Sequence, residues 1–496
     1  MRRAMTHTPR RSWALSVLLA SALVLSACGG GGGDDTVAPP APGAPPKGEN
    51  VHVTIGYQSK TINTVTAGTL MRDLGIFERR LAEVGQTNGN TYSVTWEDYP
   101  SGPPITAQML AGKVDIGSMG DYPLLVNGSK TKEEPDARSE LLAITGYNLR
   151  GSLNGVVVPL DSEARSLADL EGESVSTSVG SAAHGMIVQA LSDMGHPPEF
   201  VQLTNQQPEV GASALEGGQV SALAQFVPWP DLLVFRGKAR KLFDGGDNGV
   251  PTMHGVIGRK AYSDAHPEVV EAFLAGVVEA TEYIHTKPMD AAERVSKATG
   301  IEVEVVYLFN GPNGVVSFDP TIKPKLVDAL RNDLPFLKSL SALTDLDIDQ
   351  FVNDSYLRRA YGPAYADDQA SYVNPSALTG QDTTCNRAVS DPMTASEAWF
   401  EGQATTRVAA TPTCLISMVR AAQSSGSVLK VAYVPDATTG TRLFARTATW
   451  VDDPAAPTQS RMLPFSTLGA AEGYAAAHPG ARVSDFDGAL QALAGI

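Results

Sequence analysis

At 496 residues the chain is too long for a single core, so about two to four domains are expected. Its 43% hydrophobic and 19% charged residues are those of a foldable globular protein. A formal net charge of -16 argues against nucleic acid as a partner; a small anion is not excluded, because helix N-termini and backbone N–H groups can hold one locally.

The chain opens with Arg2, Arg3, Arg10 and Arg11 before an apolar run, 13–24, that closes on Leu25-Ser-Ala-Cys28. A basic segment, a short apolar stretch and small residues before a cut site read as an export signal over 1–27. The run is too short for a spanning helix. Leu25-Ser-Ala-Cys28 resembles the bacterial lipobox, which implies that Cys28 is lipidated and anchors the chain to the extracytoplasmic face of a bacterial membrane. Five glycines and a proline-rich stretch follow, so 28–50 reads as a flexible tether with a reach of about 60 Å.

The body, 51–375, begins with an alternating strand, 51–55, that ends in Gly56-Tyr57-Gln58. Apolar spacing predicts a helix over 69–84 and a strand over 92–96. A turn with Ser101 and Gly102 opens a short helix, 105–111. Then comes Leu110-Ala-Gly-Lys-Val-Asp115-Ile-Gly-Ser-Met-Gly120-Asp-Tyr-Pro123, a helix ending at glycine, an apolar strand, and a turn with an aromatic-proline pair. Strands are expected at 141–147 and, crossing to a second lobe of about 150–255, at 155–159.

The second lobe repeats that logic. Ser166-Leu-Ala-Asp169 reads as a capped turn, 175–178 as a strand, and Gly180-Ser-Ala-Ala-His184 as a small-residue turn opening a helix over 183–194. After a strand at 200–203 the device recurs as Leu215-Glu-Gly-Gly-Gln-Val220-Ser-Ala-Leu-Ala-Gln225-Phe-Val-Pro-Trp229-Pro230. A strand at 253–259 crosses back, and helices follow over 267–286, 289–299, 321–340 and 348–359. Strands that follow helices after short turns build parallel sheets, and ligands gather at their carboxyl ends. The expected fold class is α/β, two lobes closing as a clamp.

No catalytic signature stands out: the chain has no Gly-x-Ser-x-Gly, His-Glu-x-x-His, P-loop or Gly-x-Gly-x-x-Gly. Asp345-Leu-Asp347-Ile-Asp349 imitates an EF-hand start, but Gln350 and Tyr356 replace its glycine and glutamate. The binding candidates are the turns at strand ends: Tyr57, Gln58, Ser101, Gly102, Ser118, Asp121, Tyr122, Ser181, Ala182, His184 and Trp229. Hydroxyls and free N–H groups there suit an oxoanion, with Trp229 and Tyr122 against an organic portion.

Residues 51 to about 360 resemble the periplasmic substrate-binding proteins of the nitrate/sulfonate/taurine class of ABC importers. The matching stretches are Ile55-Gly-Tyr-Gln58, Leu110 to Ser118, Gly120-Asp-Tyr-Pro123, Val156-Val-Val-Pro159, Ser166 to Gly172, Gly180-Ser-Ala-Ala-His184 and Pro228-Trp229. The resemblance implies a type II periplasmic-binding-protein clamp that delivers a small anionic solute to a membrane permease. It leaves sulfonate, nitrate, bicarbonate and thiamine precursors open. It also includes cytoplasmic pyrimidine-forming enzymes, a rival reading that the leader opposes.

From about 380 the sequence turns rich in Ala and Thr and reads as a small α+β domain, 380–496, with strands at 397–408, 428–433 and 442–450 and a helix at 468–477. It resembles the NosL-type copper chaperones through Asp436-Ala-Thr-Thr-Gly440, Ala445 to Trp450, Arg461-Met462-Leu-Pro-Phe465 and Ala470 to Tyr474. That resemblance implies a Cu(I) site of Cys385 and Met462, and a metal-handling lipoprotein as an alternative function. The competing reading, open at this point, is a Cys385–Cys414 disulfide, as paired cysteines outside the cytoplasm usually form.

Overall fold

The computed structural model describes residues 48–493 apart from 341, 342 and 344; the leader, Cys28 and most of the tether lie outside the described residues. The first lobe runs β1 (Asn50–Tyr57), α1 (Thr69–Asp73), α2 (Ile76–Asn88), β2 (Thr91–Asp98), α3 (Gly102–Leu110), β3 (Ile116–Gly120), α4 (Asp121–Thr131) and β4 (Ser139–Asn148). The chain crosses to β5 (Asn154–Pro159) and continues through β6 (Ser174–Thr177), α5 (Ala182–Asp193), β7 (Gln202–Asn205), α6 (Pro208–Glu216), β8 (Ala222–Phe226), α7 (Trp229–Phe235) and β9 (Ala239–Asp244). It returns by β10 (Thr252–Arg259).

Each lobe is built on a five-stranded sheet, in the orders β2-β1-β3-β10-β4 and β7-β6-β8-β5-β9. The plan is the same in both. Three strands pair in parallel, and a fourth, the one that crosses between lobes, enters antiparallel. The parallel strands put their carboxyl ends at one edge of each sheet, and those edges meet.

The two copies of the sequence device explain that placement. Gly112 and Gly218 hold φ of +67° and +65°, the left-handed turn that lets a helix stop and a strand begin. The aromatic-proline pairs do not sit in turns, as the sequence reading had them. Tyr122-Pro123 and Trp229-Pro230 lie in the first turns of α4 and α7, where proline lacks only an N–H that would have no helical partner.

Other expectations divide at identifiable residues. The helix predicted over 69–84 is broken by Gly75, at φ +60°. The strand predicted over 397–408 is a hairpin.

Beyond β10, α8 (Lys260–Ala265), α9 (Pro267–Thr286), α10 (Pro288–Thr299), α11 (Val303–Asn310) and α12 (Pro324–Leu340) follow. Leu326, Leu330 and Leu334 seat α12 in the first lobe's core, while its Phe336 packs against the second lobe's core and Tyr122. One helix thus spans both lobes. The segment predicted as one helix over 348–359 is α13 (Ile348–Phe351) and α14 (Ser355–Tyr361), parted by the extended Val352. No helix among the described residues is long and apolar enough to cross a membrane.

After α15 (Tyr365–Ala370), the C-terminal part comprises β11 (Gly380–Asp382), β12 (Arg387–Val389), β13 (Ser396–Phe400), β14 (Arg407–Ala409), α16 (Pro412–Ser424), β15 (Leu429–Pro435), β16 (Arg442–Phe444), β17 (Thr449–Asp452), β18 (Met462–Phe465), α17 (Leu468–Ala477), β19 (Arg482–Ser484) and α18 (Phe486–Ala492). Its main sheet has the order β14-β13-β15-β16. Trp399, Val431, Tyr433 and Phe444 share one apolar cluster with Tyr307 of α11 and Leu232 of α7. That face of the sheet packs on the clamp, while Phe400, Leu415, Trp450 and Phe486 belong to a separate core on the C-terminal side.

Candidate functional site

The facing strand ends of the two lobes are in contact. Ser101 Oγ, before α3, donates to Gln207 Oε1, before α6, at 3.0 Å. Lys60 Nζ reaches Glu209 Oε1 at 2.9 Å. A Cβ added at Gly120 would lie 3.4 Å from the Ala182 Cβ, and one at Gly180 would lie 3.4 Å from Pro103. The clamp is closed.

Inside that seam lie polar side chains with nothing to bond. Ser118 Oγ on β3, Thr64 Oγ1 in the turn after β1, and Thr177 Oγ1 at the end of β6 are buried without a hydrogen-bond partner among the described residues. Ser118, Thr64 and Thr177 are 1%, 1% and 0% exposed. An unsatisfied buried hydroxyl costs about 1–3 kcal/mol, so a set of them drawn from both lobes needs a reason.

The surrounding groups are fixed. Gln58 Nε2 donates to the Ser118 carbonyl at 3.0 Å, and Gln225 Nε2 to Ser178 Oγ at 2.9 Å. Asn63 Nδ2 lies 2.6 Å from His254 Nδ1; with the amide hydrogen donated there, His254 carries its own proton on Nε2. Burial holds the His254 imidazole down at about 3, so it is neutral. What these groups can do together is donate hydrogen bonds to an acceptor-rich solute without a buried countercharge.

The predicted residues divide into groups. Gln58, Ser118, Ser101, Gly102, Ser181 and Ala182 lie buried at the facing strand ends. Ser181 caps α5, its Oγ accepting from the His184 N–H at 3.4 Å. His184 itself bonds the Gly180 N–H through Nδ1, and burial lowers its pKa. Tyr57 turns toward the first lobe, its OH accepting from Arg72 at 2.5 Å and its ring edge-on to Trp96 at 5.6 Å. Trp229 borders a groove of about 220 Å³ with Lys60, Tyr99 and Glu209 at the rim of the seam. Asp121 and Tyr122 border a smaller cavity beside α12. There burial and the neighbouring Asp121 charge push the Asp333 carboxyl up to about 8. A larger cavity, about 470 Å³, lies elsewhere, between α9 and the segment 371–375.

Sequence reasoning missed His254, Asn63, Thr64, Thr177 and Asn154. His254 sits in β10 between Met253 and the apolar or small run Gly255-Val-Ile-Gly258, and a polar residue in that setting was the available signal.

The expected Cu(I) pair is corrected. Cys385 Sγ is bonded to Cys414 Sγ at 2.03 Å and offers no thiolate, which Cu(I) binding by cysteine requires. Met462 is 0% exposed in the apolar cluster that also holds Cys414. The residues present do not fit a copper ion in this form.

Comparison with known proteins agrees with the lobed plan. Residues 106–291 match the family model described as NMT1/THI5 like. A protein of Escherichia coli (strain K12) assigned to aliphatic sulfonate binding is 25% identical over 273 residues, 54% of this chain and 77% of the relative. The taurine-binding periplasmic protein of the same organism is 26% identical over 250 residues, 49% of this chain and 74% of the relative. Among solved structures, the alkanesulfonate-binding protein SsuA from Xanthomonas axonopodis pv. citri bound to MOPS superposes with a TM-score of 0.52 at 21% identity, covering 63% of this chain and 99% of that one. The lobed part of the chain thus has the two-lobed fold of the type II periplasmic binding proteins, and its residues 106–291 are similar to the NMT1/THI5-like family.

Proposed function

We propose that the protein is the extracytoplasmic solute-binding component of an ABC importer. In this reading it is exported, held to the membrane through Cys28, and captures a small sulfonate or related oxoanion between its lobes for a permease. The observation that carries the reading is the set of buried, unpartnered hydroxyls of Thr64, Ser118 and Thr177 at the seam of a closed clamp. Three oxygens of a sulfonate supply acceptors for three hydroxyl donors, and a neutral site can hold an anion when its donors are preorganised. The similarity to sulfonate- and taurine-binding relatives supports the same solute class.

The rival is catalysis by a pyrimidine-forming relative of the fold; the two Escherichia coli relatives reported above are binding proteins, which favours the binding reading. Substitution of the seam tests the proposal. Ser118→Ala and Thr177→Val should each weaken sulfonate binding by about 1–2 kcal/mol with little change in the melting temperature of the free protein. Ser181→Ala and Trp229→Ala should act in the same direction. Unchanged affinity in all four would place the pocket elsewhere.

A further inference from the structure

Beside α12, a cavity of about 30 Å³ is bordered by Asp121, Asn154 and Asp333, a space for about one water-sized particle. Both carboxylates are buried, Asp121 at 2% and Asp333 at 7% exposure. No lysine, arginine or histidine lines the cavity. Two carboxylates out of water without a cation are costly, because buried charges are ordinarily paired or bound to metal.

The Asp121 carboxylate is held in place. Its Oδ2 accepts from Thr252 Oγ1 at 2.5 Å and from the Met253 N–H at 3.2 Å. Its Oδ1 accepts from the Tyr122 N–H at 2.8 Å. The Asp333 carboxyl makes no hydrogen bond or ion pair with another described residue; its surroundings are those of the cavity.

A third oxygen is oriented by its neighbours. Thr252 gives its one hydroxyl proton to Asp121, so its lone pair receives the Asn154 Nδ2–H at 3.4 Å. That relay fixes the amide. The Oδ1 of Asn154, in a residue 6% exposed, is left facing away from Thr252 and has no partner among the described residues.

We propose that this cavity binds a divalent cation, Ca²⁺, through Asp121, Asp333 and the Asn154 amide oxygen. All three side-chain donors are hard oxygens, and two carboxylates balance the charge once the ion displaces the proton that the pair holds in its absence. The small volume leaves little room for the hydration shell that Mg²⁺ retains. Asp121 belongs to α4 of the first lobe, Asn154 opens β5 of the second, and Asp333 lies on the helix that spans both. The ion joins these three elements and steadies the closed clamp. The inference does not depend on which solute occupies the seam.

The test uses protein stripped with EDTA and free of organic anions. CaCl₂ should raise the melting temperature saturably by several degrees, and Tb³⁺ should show luminescence sensitised by Tyr122 that Ca²⁺ displaces. Asp333→Asn and Asn154→Ala should each lower Ca²⁺ affinity by about tenfold or more. If one variant fails to fold, the other gives the same reading. A wild-type protein that shows neither a saturable shift nor displaceable Tb³⁺ emission overturns the proposal. So do folded variants that bind Ca²⁺ as tightly as wild type.

Discussion

Tyr122 of the first lobe packs onto Gly185 of the second, so closely that a Cβ at Gly185 would stand 2.0 Å from the tyrosine Cε1. Gly185 lies inside α5, where alanine would favour the helix itself. Its absence of a side chain therefore serves the lobe-to-lobe contact. Gly185→Ala is expected to leave each lobe folded and to wedge the lobes apart. Overpacking of this kind costs about 1–3 kcal/mol, and a less populated closed form weakens apparent affinity in proportion. Small-angle scattering should show a larger ligand-free particle, and solute affinity should drop by about tenfold.

A pH dependence follows from His254. Burial lowers its folded pKa to about 3 from 6.5. Above pH 6.5 neither state holds the proton, so the group contributes nothing to the pH dependence. As pH falls through 6.5 the unfolded chain takes up a proton that the folded protein refuses, and stability falls by about 1.4 kcal/mol per unit until about pH 3. Other buried groups titrate in the same window, so the check is a difference: between pH 7.5 and 5 the pH slope of stability in denaturant unfolding should be steeper in wild type than in His254→Gln by about that amount.

The Cys385–Cys414 bridge closes a loop with a sequence separation of 29. A cross-link of that length stabilises by about 2–4 kcal/mol, mainly through the unfolded state. Cys385→Ser/Cys414→Ser should lower stability by that amount. Thiol titration of the non-reduced protein should find neither cysteine free, and Cu(I) uptake before reduction should be the same in wild type and Met462→Leu.

Where the C-terminal sheet meets the clamp, Arg442 pairs with Glu397, their side chains 5% and 1% exposed. The same guanidinium donates to the Pro312 carbonyl and lies 4.3 Å from the Tyr433 ring centroid. Removing one partner leaves a buried charge, at a cost of about 3–5 kcal/mol. Arg442→Leu alone should be strongly destabilising in denaturant melts. Arg442→Leu/Glu397→Leu should recover much of the loss.

The lobed plan was legible because its signals are local. Glycine at a left-handed turn after a helix, followed within a few residues by a short, mainly apolar strand, marks the same αβ step in 110–123 and 215–230. The capping box of Ser166 and Asp169 was likewise visible and is present. Helix α4 was overlooked because Asn127, Gly128 and Ser129 interrupt its apolar pattern, although all three are buried. Helix α16 had a readable start in Thr411, whose hydroxyl caps Cys414, and Pro412. Of the candidate seam residues, Ser101 and Ser181 are legible because they stand just before helices, at turns. Ser118, Thr177 and His254 lie within strands, and only the meeting of two sheets makes a buried polar residue there noteworthy.

Calorimetric titration of the purified protein with ethanesulfonate, taurine and nitrate, with a neutral sugar as control, tests the central claim most directly. The account predicts saturable one-site binding of a sulfonate, weakened by Ser118→Ala and Thr177→Val, with the compound recovered unchanged. Absence of binding to every oxoanion, or chemical turnover of a bound one, would contradict it.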